Sequence, residues 1–147
     1  MFPAVTTLIP HRPPFLFVDS IVAEGPLGLT AVRTWKAEEA FYGGHYPGAP
    51  ITPGVLLCEA VFQAACVYLG RKMADGFLAP DRVPMIVKIK DVRFRSPVYP
   101  GSTTVIQVDE GERMGDFTTF SGRMSIGERR VMSLDFLVAW KNPLSSA

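Results

Sequence analysis

Cysteine and histidine are scarce in this sequence, two of each among 147 residues. Cys58 and Cys66 lie in one apolar run. On a helix their eight-residue separation spans roughly 12 Å along the axis, too far for a disulfide. They read as buried free thiols of a reducing compartment. With only His11 and His45 to join them, metal-ligand spacing is absent and no zinc site is expected. An excess of one charge is lacking too. Fifteen basic residues against fourteen acidic ones give a formal net charge of +1, which offers no global case for nucleic acid but leaves room for a local basic patch. Nor is there a membrane-length apolar run: the longest, "VLLCEAVFQAACVYL" over residues 55–69, is interrupted by Glu59 and Gln63. The start, "MFPAVTTLIPHRPPF", has no basic stretch leading into an apolar one, so it does not read as a secretory signal. The expectation is a cytoplasmic protein with neither a membrane nor a nucleic-acid partner.

What is present is an ordinary globular balance, 48% hydrophobic and 20% charged, enough for one domain over residues 1–147. Residues 141–147, ending in "NPLSSA", read as a loose tail. "FLFVDSIV" (15–22) is β-prone and ends at the turn-rich "AEGPLG"; "LTAVRTWK" then completes a hairpin. Residues 38–53 form a loop stiffened by Pro47, Pro50 and Pro53. From Gly54 a helix follows, apolar on nearly every face and therefore wrapped by protein. It ends at "GRKMADG", where Arg71 and Lys72 suit the negative end of the helix dipole. The remainder reads as strands: "PMIVKIKDVRFRS", a turn at "PVYPGS", "TTVIQVDE", a break at "GERMGD", "FTTFSGRMSI", and "RRVMSLDFLVAW". In the last of these, Met132, Leu134, Phe136, Val138 and Trp140 share one face. An antiparallel sheet curled around one central helix, class α+β, covers that helix best.

Three features carry chemistry. Glu59 sits among apolar neighbours, and burial raises a carboxyl pKa toward that of a proton donor useful near neutrality. It could equally be a helix-edge glutamate held by a loop amide. Gln63, one turn on, either orients Glu59 or satisfies a buried backbone group. His45 lies in "GGHYPGAP", either a plain surface histidine or a general base held by the rigid loop after it. Gly54 opens the helix, where unpaired amides at the positive dipole end either simply begin the helix or stabilise an oxyanion.

The stretches "LIPHRPPFLFVDSI", "GGHYPGAPITPGVLLCEAVFQAA" and "VRFRSPVYPGS" together resemble the FabZ-type 3-hydroxyacyl-acyl-carrier-protein dehydratases, in order, from about residue 8 to residue 140. The resemblance implies the hotdog fold and a homodimer, commonly assembled as a trimer of dimers. It implies that His45 of one subunit and Glu59 of the other form the acid–base pair. Gly54 N–H is then the thioester-polarising donor and Gln63 steadies the acid. It also implies no metal or organic cofactor, with the substrate arriving on the phosphopantetheine arm of acyl carrier protein. Carrier proteins are acidic, so Arg71, Lys72, Lys88, Lys90, Arg93 and Arg95 become candidates for docking.

The chain departs from the family's pattern around the acyl tunnel. Thr52 stands where methionine is usual, Phe62 alters a typical "AMAQ", Met85 and Ile86 occupy the place of a gating aromatic, and "PGS" replaces "PGD". These residues point to an altered acyl tunnel. The alternatives are a hotdog thioesterase, which would use a carboxylate to direct water at the carbonyl, and a non-catalytic acyl-carrier-binding subunit.

Overall fold

A computed structural model describes residues 1–73 and 81–144. Strands Ser20–Gly25 (β1) and Gly28–Thr34 (β2) form a hairpin, followed by a one-turn helix, Phe41–Gly44 (α1), and the long helix Gly54–Lys72 (α2). Four strands complete the chain: Val83–Phe94 (β3), Thr103–Met114 (β4), Phe117–Ile126 (β5) and Arg129–Lys141 (β6). All six pair antiparallel in one sheet of order β1-β2-β4-β5-β6-β3.

Strand twist curls the sheet, and because its side chains alternate only one set meets α2. Ile106 and Val108 on β4, Phe120 and Met124 on β5, and Leu134 and Phe136 on β6 are all buried. Against them α2 buries Leu57, Val61, Ala64, Ala65 and Tyr68. Helix and sheet approach so closely that a Cβ on Gly122 would lie 2.3 Å from Cγ1 of Val61, so glycine is the residue that fits there. This is the hotdog arrangement, a sheet wrapped around one helix. With 19 residues α2 outruns the apolar stretch, and by length and composition alone would pass as a membrane span, but it is 67% buried inside the protein. Its first turn is the exception to the enclosure expected from its composition: Val55 is 75% exposed.

Several boundaries differ from the sequence reading. The first strand begins at Ser20, not at residue 15. Phe17 and Val18 are buried, but the backbone here finds its partners in a side chain: Phe17 N–H donates to Gln63 Oε1, and Gln63 Nε2 donates to the Phe15 carbonyl. The β1–β2 turn is only Pro26 and Leu27. The supposed break at residues 111–116 is mostly strand: β4 runs to Met114 through a bulge between Glu110 and Arg113, and the turn is Gly115–Asp116. Lys141 belongs to β6, so any tail starts at residue 142. The helix ends at Lys72, with Met73 as its cap; residues 74–76 of "GRKMADG" and 145–147 of the tail lie outside the described residues.

Candidate active site

His45 follows directly after α1, in the loop that leads to α2. Its Nδ1 lies 2.8 Å from the carbonyl of Ile51. A carbonyl only accepts, so Nδ1 carries the hydrogen and Nε2 keeps a lone pair, the form a general base needs. Tyr46 has φ 54, a left-handed conformation unusual for tyrosine, and its carbonyl accepts the N–H groups of Gly48 and Ala49. This turn folds the loop back and brings Ile51 to the imidazole. Thr52 is buried, its N–H donating to the Val98 carbonyl (2.8 Å) and its hydroxyl sharing a hydrogen bond with Tyr42 (2.6 Å). Thr52 thus ties the loop down at the chain position expected to line the tunnel.

His45 and Gly54 line one cavity of about 460 Å³, together with Leu57, Phe94 and Val98. No side chain caps α2, and the N–H groups of Leu56 and Leu57 both bond back to Pro53. That leaves the amides of Gly54 and Val55 with no carbonyl of their own helix to donate to. A Cβ on Gly54 would come 2.9 Å from the Phe94 ring, so glycine keeps both the helix start and this ring in place.

Glu59 is not among the residues lining that cavity. Within one subunit its company is different. Gln63 Nε2 donates to its Oε1 at 3.0 Å, and His11 Nε2 stands 3.9 Å from the same oxygen. Burial raises the Glu59 pKa above the ordinary carboxyl range, and the Gln63 hydrogen bond opposes that rise without cancelling it. Gln63 makes the contacts of both readings, a hydrogen bond to Glu59 and hydrogen bonds to the backbone of Phe15 and Phe17. Its oxygen is committed to Phe17 N–H, so its NH₂ must face Glu59. Beside Glu59 on α2, Cys58 and Cys66 are thiols held neutral by burial, Cys66 pushed up to about 12.

Of the other tunnel candidates, Phe62 packs edge-to-face on Phe136 with centroids 5.0 Å apart, filling the space between α2 and β6. Met85 and Ile86 pair with Ala139 and Val138 of β6 near the start of β3. The six docking candidates divide. Arg71 holds Glu24 through two hydrogen bonds, and Lys72 donates to the Pro26 carbonyl beside Tyr68. The other four belong to β3 and its exit: Lys88 and Lys90 line a cavity of about 540 Å³ with Asp135, while Arg93 and Arg95 share a hollow with Arg123 and Arg130. Arg123 and Arg130 escaped the sequence reading because they come from β5 and β6, and only strand pairing brings them to β3. Tyr42, Phe94 and His11 were missed likewise; of these, His11 and Phe94 carried a signal, their places in the motifs "LIPHRPPF" and "VRFRSPVYPGS". Among the described residues no three His, Cys, Asp or Glu side chains cluster as a metal site.

A family model for the FabA-like domain matches residues 9–135. The chain is 33% identical over 135 residues to a 3-hydroxyacyl-[acyl-carrier-protein] dehydratase FabZ of Anaeromyxobacter sp., covering 91% of this chain and 85% of that protein. It is 34% identical over 136 residues to the FabZ of Wolbachia pipientis, covering 90% of this chain and 91% of that one. In fold it is similar to a chain of the dehydratase heterocomplex ApeI:P from Xenorhabdus doucetiae, with a TM-score of 0.80, 19% identity, and coverage of 97% and 94% of the two chains. The chain belongs to the FabA-like family, among its FabZ-type dehydratases.

Proposed function

We propose that the protein converts a (3R)-3-hydroxyacyl thioester on acyl carrier protein into the trans-2-enoyl thioester, as a single-domain cytoplasmic enzyme of fatty-acid synthesis. The observation that carries this reading is the hydrogen bond from His45 Nδ1–H to the Ile51 carbonyl. It leaves Nε2 as the base, in the same cavity as the start of α2. Nε2 takes the C2 proton while Gly54 N–H receives the growing charge on the thioester oxygen. The C3–O bond breaks as Glu59 of the partner subunit gives its proton to the departing hydroxyl, releasing water. The imidazolium then returns its proton to the carboxylate through solvent. The elimination is redox-neutral and needs no cofactor beyond the carrier's phosphopantetheine arm.

The second subunit joins through β3. Among the described residues this strand ends the sheet and pairs only with β6, and it leaves Val87, Ile89 and Phe94 between 45% and 54% exposed. A twelve-residue edge strand with exposed apolar side chains is a template for another strand, and a homodimer built on it, assembled further as a trimer of dimers, would cover it. The hollow lined by Arg93, Arg95, Arg123 and Arg130, four arginines against Asp91 and Asp135, keeps a net positive charge that suits an acidic carrier. Phe62, closing on Phe136, and the buried Thr52 narrow the acyl tunnel.

Turnover of a short-chain (3R)-3-hydroxyacyl carrier protein tests the reading. The wild type should form enoyl product, and His45→Ala and Glu59→Gln should each lower kcat by about 10²–10⁴-fold, the usual worth of a general acid or base. Release of free thiol without enoyl product would instead identify a thioesterase.

A further inference from the structure

His11 is a titratable side chain in the acid's surroundings to which the reaction above gives no task. It comes from the N-terminal segment, in "LIPHRPPF", forty-eight residues before Glu59 in the chain but only 3.9 Å from its Oε1 in space. Its Nδ1 is buried and has no hydrogen-bond partner among the described residues. Arg12 stands next to it, and its guanidinium donates to the carbonyls of Ile9, His11 and Thr6.

These facts select one form of the ring. A charged imidazole would carry a buried N–H at Nδ1 with nothing to receive it, beside a fixed cation. Burial and Arg12 both hold the His11 pKa below its ordinary value. Of the two neutral tautomers, a hydrogen on Nδ1 would again be a buried donor without a partner, and would aim the Nε2 lone pair at a carboxylate. The other tautomer buries only a lone pair at Nδ1 and points Nε2–H at Glu59 Oε1.

We propose that His11 is a positioning residue for Glu59: its neutral Nε2–H joins the Gln63 amide in holding Oε1, so that the acid's proton resides on Oε2. This rests on the dehydratase reading for its role in catalysis but not for its chemistry. Gln63 already requires Oε1 to accept, because its own oxygen is committed to Phe17 N–H. Two donors converging on Oε1 make it the poorer seat for a proton. At 3.9 Å the His11 contact is a dipolar attraction rather than a hydrogen bond, and it becomes a stronger charge–dipole attraction once the proton has been given up. His11 therefore favours the carboxylate and offsets part of the burial that disfavours it. The titratable and charged groups facing this pair are Arg12 from the N-terminal segment and Cys58 and Cys66 from α2; the proposed dimer adds His45 of the partner subunit.

The test is a pH titration of the Glu59 carboxyl carbon by NMR, in the full-length wild type, His11→Phe and His11→Gln. The phenyl ring keeps the bulk and removes the donor; glutamine restores a neutral N–H near the same point. The Glu59 midpoint should rise in His11→Phe by about half a pH unit or more and return toward the wild type in His11→Gln. The alkaline limb of kcat/KM should move with it, with KM little changed. A midpoint unmoved in His11→Phe, or moved equally in both variants, overturns the proposal. If the variants fail to fold, the imidazole nitrogen shifts of His11 in the wild type decide: a neutral Nε2–H ring near pH 7 supports it, and the Nδ1–H tautomer or a charged ring overturns it. Absence of turnover in the wild type would count against the dehydratase reading alone, because the carboxyl titration needs no substrate.

Discussion

At Glu59 two influences oppose each other. Burial disfavours the carboxylate, and the Gln63 amide favours it; burial prevails, so the pKa is raised. The folded protein therefore holds a proton that the unfolded chain gives up. That contribution to stability is complete below the ordinary carboxyl range and is lost as pH rises through the raised value. Glu59→Gln, neutral at every pH, should gain in Tm over the wild type at about pH 8 relative to about pH 4, by roughly 2–4 °C for each kcal/mol involved. Thermal melts at the two pH values check this, and an equal difference at both would mean that Glu59 titrates as a solvated carboxyl. The burial of Glu59 was legible from its apolar neighbours in sequence. The rest of its surroundings was not, because His11, which stands near its Oε1, and Phe15 and Phe17, which anchor Gln63, come from a segment some 40–50 residues away. Sequence spacing gives helix neighbours such as Gln63, and nothing about an N-terminal segment laid against the helix.

Among the elements, the contact between α2 and β5 has the least room. Gly122→Ala would drive a methyl into Val61 and should cost about 1–3 kcal/mol by overpacking. In a Val61→Ala background the same change should cost less, since the clashing methyls are gone. Denaturant unfolding of the four proteins measures the coupling, and additive losses would show that the sheet simply moves away. The elements differ in how plainly the sequence announced them. "FTTFSGRMSI" coincides with β5, Phe117–Ile126, because left-handed glycines, Gly115 and Gly127, close it on both sides. The end of β4 was hidden: its last residues, Gly111–Met114, lie past a bulge and are polar and exposed, which in sequence looks like a loop. The hairpin's first strand was set too early for the opposite reason. Phe15–Val18 is apolar enough for a strand, but its backbone partners are supplied by Gln63.

At the scale of the whole molecule, one subunit holds the proposed base and the proposed acid in different surroundings, His45 against Ile51 and Glu59 against Gln63 and His11. The proposed dimer through β3 would complete the site. Placing a charge on that edge with Ile89→Lys should give a folded monomer by sedimentation, with activity lowered about 100-fold or more because the acid is no longer positioned. A fully active dimer would place the interface elsewhere.

The most direct measurement mixes the two inactive variants. His45→Ala and Glu59→Gln, co-expressed and assembled at random, form heterodimers in half of the molecules, each with one intact site and one doubly damaged site. If the base and the acid come from different subunits, roughly a quarter of the wild-type activity should return, as isologous two-fold symmetry requires. If heterodimers form, by native mass spectrometry, and no activity returns, the shared site is contradicted.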